Sequence, residues 1–332
     1  MLSKLRYIVM KLVRKMVGKF NGILLSQNVY DSLLNQRNAA VKILISERKS
    51  SLSTGVTGIV FSKDRPLQLH ALINTYFENV HAPAPLYIIF NTSSLAYAEA
   101  YRQLALEVEN DAVIFVPESD TFKTTLIKVL HLIKTNNIFF LVDDIIFIRQ
   151  VDFTVLSQLN PFEEILSLRH SPHLRRSYTA NIDQLPPAIR PSLSHEDLLE
   201  FNWFEQGCEW SDPWSVDGQV LSTDEVLVIS TISDFNAPNT FESALKSFTQ
   251  LMKGRKGLCY HESKILNLPV NRVQDEVANR NGNVSTRFLL NSWTDGMMLD
   301  TTMFATLIPA SPHEEHFMKF KKRAAINFKS TQ

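Results

Sequence analysis

An α/β fold, built on a mostly parallel sheet with helices on both faces, is what the sequence predicts, and two observations predict it. Between residues 56 and 142 short apolar runs recur without the polar alternation of a half-exposed strand. Amphipathic stretches of helical length separate them. A strand covered on both faces reads as a continuous apolar run, and strand–helix alternation joins such strands by parallel crossovers. In order, Val56 to Phe61 is a strand, Pro66 to Asn79 a helix, Leu86 to Phe90 a strand and Leu95 to Val108 a helix. Ala112 to Val116 is the third strand, Phe122 to Thr135 the third helix and Ile138 to Val142 the fourth strand. Ligands of such sheets gather at the carboxyl ends of the strands.

Beyond residue 150 the pattern loosens into a loop-rich continuation of the same domain. Asn160-Pro161, Ser171-Pro172, Pro186-Pro187 and Asp212-Pro213 mark turns, and Trp203, Trp210 and Trp214 lie close together in sequence. Thr240 to Leu251 reads as a helix capped by Asn239 or Thr240.

The whole chain of 332 residues is 45% hydrophobic and 20% charged, which excludes a mainly disordered protein. Its 34 basic and 34 acidic side chains cancel. Two cysteines are too few for a disulfide framework or a four-thiolate zinc site. No apolar run has the length of a spanning helix and no signal-peptide pattern opens the chain, so a cytoplasmic protein is expected. The neutral total hides a split. Residues 1–49 hold ten Lys or Arg against Asp31 and Glu47, a net of +8 that the rest must balance. Leu5, Ile8, Val9, Leu12, Val13, Met16 and Val17 recur at helical spacing within residues 2–20, with Lys4, Lys11, Lys15 and Lys19 on the other side. Such a helix either lies on an anionic membrane surface or packs on the body with a solvated basic face. The expected organisation is a basic helical arm over residues 1–50, a domain over 51–310 with halves meeting at 150/151, and a basic tail over 311–332.

The sharpest local feature is the run from Ile138 to Ile148, in which an apolar strand meets Asp143 and Asp144 and then resumes. Neither acid sits cheaply in an apolar interior unless paired or bound to a cation. At a strand's carboxyl end the pair is either a ligand set for Mn²⁺ or Mg²⁺ or a turn facing solvent. The first strand leaves through Ser62, Lys63, Asp64, Arg65 and Pro66, where Asp64 could meet a ribose or base and Arg65 a phosphate; an Asp-capped helix with Pro66 in its first turn reads equally well. Asn91 ends the second strand as either a cap or the rim of a nucleotide pocket. The absence of a Gly-rich fingerprint after the first strand argues against a dinucleotide cofactor, and no Walker sequence appears. His313, Glu314, Glu315 and His316 lack the zincin spacing and read as a solvated run beside the basic tail. Basic residues confined to the termini, without a recognition module, argue against nucleic acid as a partner.

In this order the features resemble the nucleotide-binding half of GT-A glycosyltransferases, whose short acidic motif holds a divalent cation against the diphosphate of a sugar nucleotide. Val142-Asp143-Asp144 would be a variant of that motif. Ser167 to Arg169, Trp214 to Gly218, Asn236 to Glu242 and Asn267 to Gln274 look like a set found in bacterial GT-A-like proteins, so the resemblance spans roughly residues 56–300. It implies a nucleotide-sugar donor and a glycan or lipid-linked acceptor, in bacterial surface polysaccharide or glycolipid synthesis, with the basic arm on the inner face of the membrane. Asp143 and Asp144 would hold the metal, and Glu242 and Asp217 are candidates for the base. Ser62, Asp64, Arg65, Asn91, Arg169, Asn271 and Gln274 are candidates for the donor, with Lys264 a further phosphate contact. Trp214 would stack on the acceptor sugar. Two alternatives share the architecture: a sugar-nucleotide nucleotidyltransferase and a non-catalytic domain that binds glycans or partners.

Overall fold

The structure, a computed structural model, describes residues 26–48, 52–273 and 280–324. The basic helix expected over residues 2–20, Gln274 and the end of the basic tail lie outside them. The chain divides into two units, residues 1–47 and 48–332. In the first, helix α1 (Gln27–Glu47) lies within the helical arm expected over residues 1–50, beyond the amphipathic stretch at residues 2–20. Among the described residues no helix is long and apolar enough to cross a membrane.

The second unit opens with β1 (Ser53–Lys63), α2 (Pro66–Asn79), β2 (Leu86–Asn91), α3 (Leu95–Val108) and β3 (Val113–Pro117). It continues with α4 (Phe122–Leu132), β4 (Thr135–Val142), β5 (Ile145–Phe147), β6 (Glu164–Ser167), β7 (Leu198–Asn202) and β8 (Val220–Ser222). Helices α5 (Thr223–Ile232) and α6 (Pro238–Lys246), strands β9 (Lys256–Tyr260) and β10 (Ile265–Asn267), and helix α7 (Thr286–Thr294) complete the main elements. The central sheet has the order β8–β4–β1–β2–β3, with β4, β1, β2 and β3 parallel and β8 antiparallel at one edge. The continuous apolar strands sit where their composition demands: Ile59, Val60, Phe139, Phe140 and Leu141 are fully buried. Removing each such side chain from water contributes about 1.5–3 kcal/mol.

Register fixes what emerges at the sheet's carboxyl edge. Phe61 pairs with Val142, and Lys63 with Asn91, so β1, β2 and β4 end side by side. Beyond β4 the Asp143 amide donates to the Phe61 carbonyl at 3.1 Å, and the Asp144 carbonyl accepts from Leu268 N at 2.8 Å. The chain then enters β5, which pairs antiparallel with β10. The two acids therefore occupy a turn stapled between β1 and the segment after β10.

Where a loop-rich continuation was expected, a second sheet forms from Arg190–Pro191, β7, β9 and β6. Its strands are short and joined by long irregular segments, which hides them from periodicity. Trp203, Trp210 and Trp214 are fully buried. The helix expected over 240–251 is α6 followed by a separate 3₁₀ turn over Thr249–Met252. Ala237 is its N-cap residue, and the Thr240 hydroxyl reaches back to accept from the Asn236 and Ala237 amides at 3.0 Å each.

Candidate active site

A cleft of about 700 Å³ opens at the carboxyl ends of β1, β2 and β4 and is closed below by α6 and the segments after β6 and β10. Two groups of ionised side chains line it, each around a buried arginine.

The first group is made by the turn after β1. Asp64 takes a left-handed conformation (φ 54°), which Asp tolerates better than most residues, and its Oδ1 accepts from the Ser93 amide at 2.8 Å. It therefore ties two loops together, does not cap α2, and is not among the cleft-lining residues; its expected contact with a nucleotide is corrected on that ground. The reversal sends Arg65 back across the strand ends. Arg65 Nη1 donates to Asp143 Oδ1 at 2.8 Å and to Asp144 Oδ2 at 2.9 Å. Its Nε donates to Asn271 Oδ1 at 2.9 Å and its Nη2 to the Asn271 carbonyl. Asp143 Oδ2 accepts from Ser62 Oγ at 2.8 Å and from the Lys63 amide at 3.0 Å, and Asp144 Oδ1 accepts from Asn267 Nδ2 at 3.1 Å. Ser62 Oγ also shares a hydrogen bond with the Tyr101 hydroxyl. Burial raises the Asp144 pKa to about 6; Arg65 pulls it down, and Asp143 and Asp217 push it up.

The expectation of a divalent cation can be tested on these oxygens. A metal bridging the pair must lie about 2.0–2.6 Å from an oxygen of each acid. Arg65 Nη1 occupies the point where Asp143 Oδ1 and Asp144 Oδ2 converge. With Arg65 in place, the pair does not fit a bridging cation. Arg65 itself lines the cleft, with its guanidinium nitrogens bonded to the two acids and to Asn271.

The second group surrounds Arg169, which follows β6. Arg169 Nη1 lies 3.3 Å from Asp217 Oδ2 and 3.7 Å from Glu209 Oε2, and its Nη2 lies 3.7 Å from Asp212 Oδ2. Nε and Nη2 of Arg169 make no hydrogen bond among the described residues. Lys246 Nζ bridges Asp212 at 2.9 Å and Glu242 at 3.2 Å. His313 Nε2 lies 3.2 Å from Asp217 Oδ2. Gly218 (φ 83°) gives the turn that presents Asp217; its amide donates to the Phe140 carbonyl at 2.8 Å, and a Cβ there would meet Ile265 at 2.4 Å.

The two candidate bases differ in state. Burial raises the Glu242 pKa, Asp212 raises it further and Lys246 opposes. Burial also pushes Asp217 upward, but the hydrogen bond and charge of His313, then Arg169, bring it below the ordinary carboxylate value. His313 is raised by Asp217 against the effect of its burial. Of the two, Glu242 holds a proton more readily than an ordinary carboxylate, and Asp217 is biased toward its charged form.

Asn91 lines the cleft at the end of β2. Asn271 lines it as well, from an irregular segment after β10. Trp214 is fully buried and takes no part in the lining, so it cannot stack on an acceptor. Lys264 is turned elsewhere, bonded to the Gln150 carbonyl at 2.9 Å and lying over the Tyr260 ring. His313, expected on a solvated run, instead faces Asp217. Lys246 was legible as the i+4 partner of Glu242. Lys63 and Arg272 line the cleft as exposed cations whose side chains make no ion pair among the described residues.

No family model matches the chain, and no curated protein does. Among solved structures it is similar to a 4-diphosphocytidyl-2C-methyl-D-erythritol synthase from Anaerococcus prevotii, at 10% identity over 64% of this chain and 89% of that one, TM-score 0.36. It is also similar to a UDP-glucose pyrophosphorylase complexed with UDP-glucose, at 12% identity over 64% and 92%, TM-score 0.32. A mannosyltransferase from Pyrobaculum calidifontis in complex with GDP-Man and Mn²⁺ matches at 13% identity over 42% and 44%, TM-score 0.28. At these scores the likenesses carry no argument about this chain.

Proposed function

We propose that the chain is a glycosyltransferase that moves a sugar from a nucleoside-diphosphate donor to a hydroxyl acceptor on a glycan or lipid-linked sugar. The observation that carries this reading is the pairing, in one cleft at the strand ends, of cations that make no ion pair among the described residues with a carboxylate whose pKa is raised. Lys63 and Arg272 suit a diphosphate. Asn91, at the same edge, suits a ribose or base. Glu242 takes the acceptor proton as the acceptor oxygen attacks the anomeric carbon and the bond to the diphosphate breaks. The charge that develops on the departing diphosphate is offset by Lys63 and Arg272. Asp217, kept ionised by His313 and Arg169, orients an acceptor hydroxyl near Glu242. The resemblance of the sequences Val142-Asp143-Asp144 and Asn267 to Gln274 to GT-A proteins supports the same reading. A basic segment over residues 1–24 would place the enzyme on anionic lipid beside a lipid-linked acceptor. Its deletion should then reduce co-sedimentation with liposomes.

The test is nucleoside-diphosphate release from a panel of nucleotide sugars, with Glu242→Gln as control. Release with one donor, lost in Glu242→Gln, is expected. Pyrophosphate release from a nucleoside triphosphate and a sugar 1-phosphate would replace the reading by nucleotidyl transfer. Tight donor binding without turnover would replace it by a non-catalytic domain.

A further inference from the structure

We propose that Arg65 is a built-in cation occupying the metal position of the cleft, so that the chain binds a nucleoside diphosphate without a divalent ion. This rests on the donor-site reading above but is argued from the acidic turn alone. A single nitrogen, Nη1, lies 2.8 Å from Asp143 and 2.9 Å from Asp144, on the facing oxygens of the two carboxylates. The remaining oxygens are committed to Ser62, the Lys63 amide and Asn267. The guanidinium cannot step aside cheaply. Its other nitrogens are held by the side chain and carbonyl of Asn271, and Arg65 and both acids are buried. Swinging it away would leave two adjacent carboxylates uncompensated in an apolar turn, with the Asn271 acceptors unpaired. A dication entering beside it would meet a like charge at close range where water screens poorly. A guanidinium keeps its charge throughout the accessible pH range, so it can serve as a permanent counter-ion where other proteins recruit one.

The geometry also says what removing it would do. Without Arg65, Asp143 and Asp144 present two free oxygens to one point, with the Asn271 carbonyl close by. That is an oxygen-only donor set of the kind hard divalent cations take. Arg65→Ala should therefore create a Mn²⁺ site that the wild type lacks.

Direct Mn²⁺ binding to the free protein, followed by electron paramagnetic resonance, tests this without any nucleotide. The wild type is expected to leave Mn²⁺ unbound at the acidic turn, and Arg65→Ala to bind about one equivalent, lost again in Arg65→Ala/Asp144→Asn. Should Arg65→Ala fail to fold, Arg65→Gln removes the charge while keeping a hydrogen-bond donor. Mn²⁺ bound by the wild type and lost in Asp144→Asn overturns the inference. So does an arginine-free variant that folds and stays silent. Calorimetry with UDP and GDP adds a second readout: dissociation constants in EDTA and in Mn²⁺ should agree within about twofold, whereas a tenfold tightening by Mn²⁺ overturns the inference. Failure of both nucleotides to bind in any condition counts against the donor-site reading, and the resonance result still decides the role of Arg65.

Discussion

Arg65 and Arg169 are both buried and both face carboxylates across one cleft, yet they are held differently. Arg65 has Nε, Nη1 and Nη2 all matched to acceptors at hydrogen-bond distance. Arg169 meets its three acids at 3.3–3.7 Å, and two of its nitrogens make no hydrogen bond among the described residues. The first group is closed: it fixes the strand ends and neutralises the acidic turn. The second is open, with charge spread over Glu209, Asp212, Asp217, Glu242, Lys246 and His313. A loosely satisfied network can re-form around a ligand, whereas a saturated one resists change. On the proposed reading, proton transfer belongs to the Arg169 side, and the Arg65 side is the fixed frame that carries Lys63, Asn91 and Arg272.

The largest effect that sharpens this contrast is on chemistry. Glu242→Gln should lower the rate by about 10²–10⁴-fold, the range for loss of a general base, in a release assay at saturating donor. It should not lower stability at pH 7. A carboxyl whose folded pKa is raised contributes stability below its ordinary pKa that is lost as pH rises through the raised value, and the neutral amide keeps it. Next comes Arg65→Ala, which should cost about 3–5 kcal/mol in urea unfolding because it strands two buried carboxylates. Arg169→Ala should cost less, about 1–3 kcal/mol, since Lys246 remains beside Asp212 and His313 beside Asp217. Equal costs would erase the distinction.

The smallest effect separates the groups by pH. His313 is raised and Asp217 lowered, so their pairing is fully present between the ordinary Asp and His values. It is lost as pH rises through the raised His313 pKa and as pH falls through the lowered Asp217 pKa. His313→Gln should flatten the alkaline limb of the stability curve by about 1 kcal/mol. In the Arg65 group the guanidinium does not titrate there, and the pH dependence comes from Asp144, whose raised pKa of about 6 gives stability present below the ordinary Asp value and lost as pH rises through about 6.

The two sides were also unequally legible. The strand–helix alternation, α2, α3 and the acidic turn follow from local patterns that a short window contains. Arg65 and Asp143 are 78 residues apart in sequence, and Arg65 and Asn271 are 206 apart. No spacing rule links them, so Arg65 reads as a phosphate ligand until β1 and β4 are set side by side. His313 reaches Asp217 only because the chain near residue 313 bridges to Asn267. Trp214 looked like a sugar platform because it precedes an Asp-Gly turn, but a large apolar side chain beside a short strand is as readily core. Lys63 and Arg272 were passed over because a lone exposed cation has no sequence signature.

The most direct test of the donor cleft is thermal stability in EDTA against a panel of nucleotide sugars, for the wild type and for Lys63→Glu/Arg272→Glu. A ligand at ~100 times its dissociation constant adds about 2.7 kcal/mol, which moves the melting point by several degrees. One donor should raise the wild-type melting point in EDTA and leave the double variant unmoved. No shift with any donor, or a shift that survives the double variant, would contradict the account.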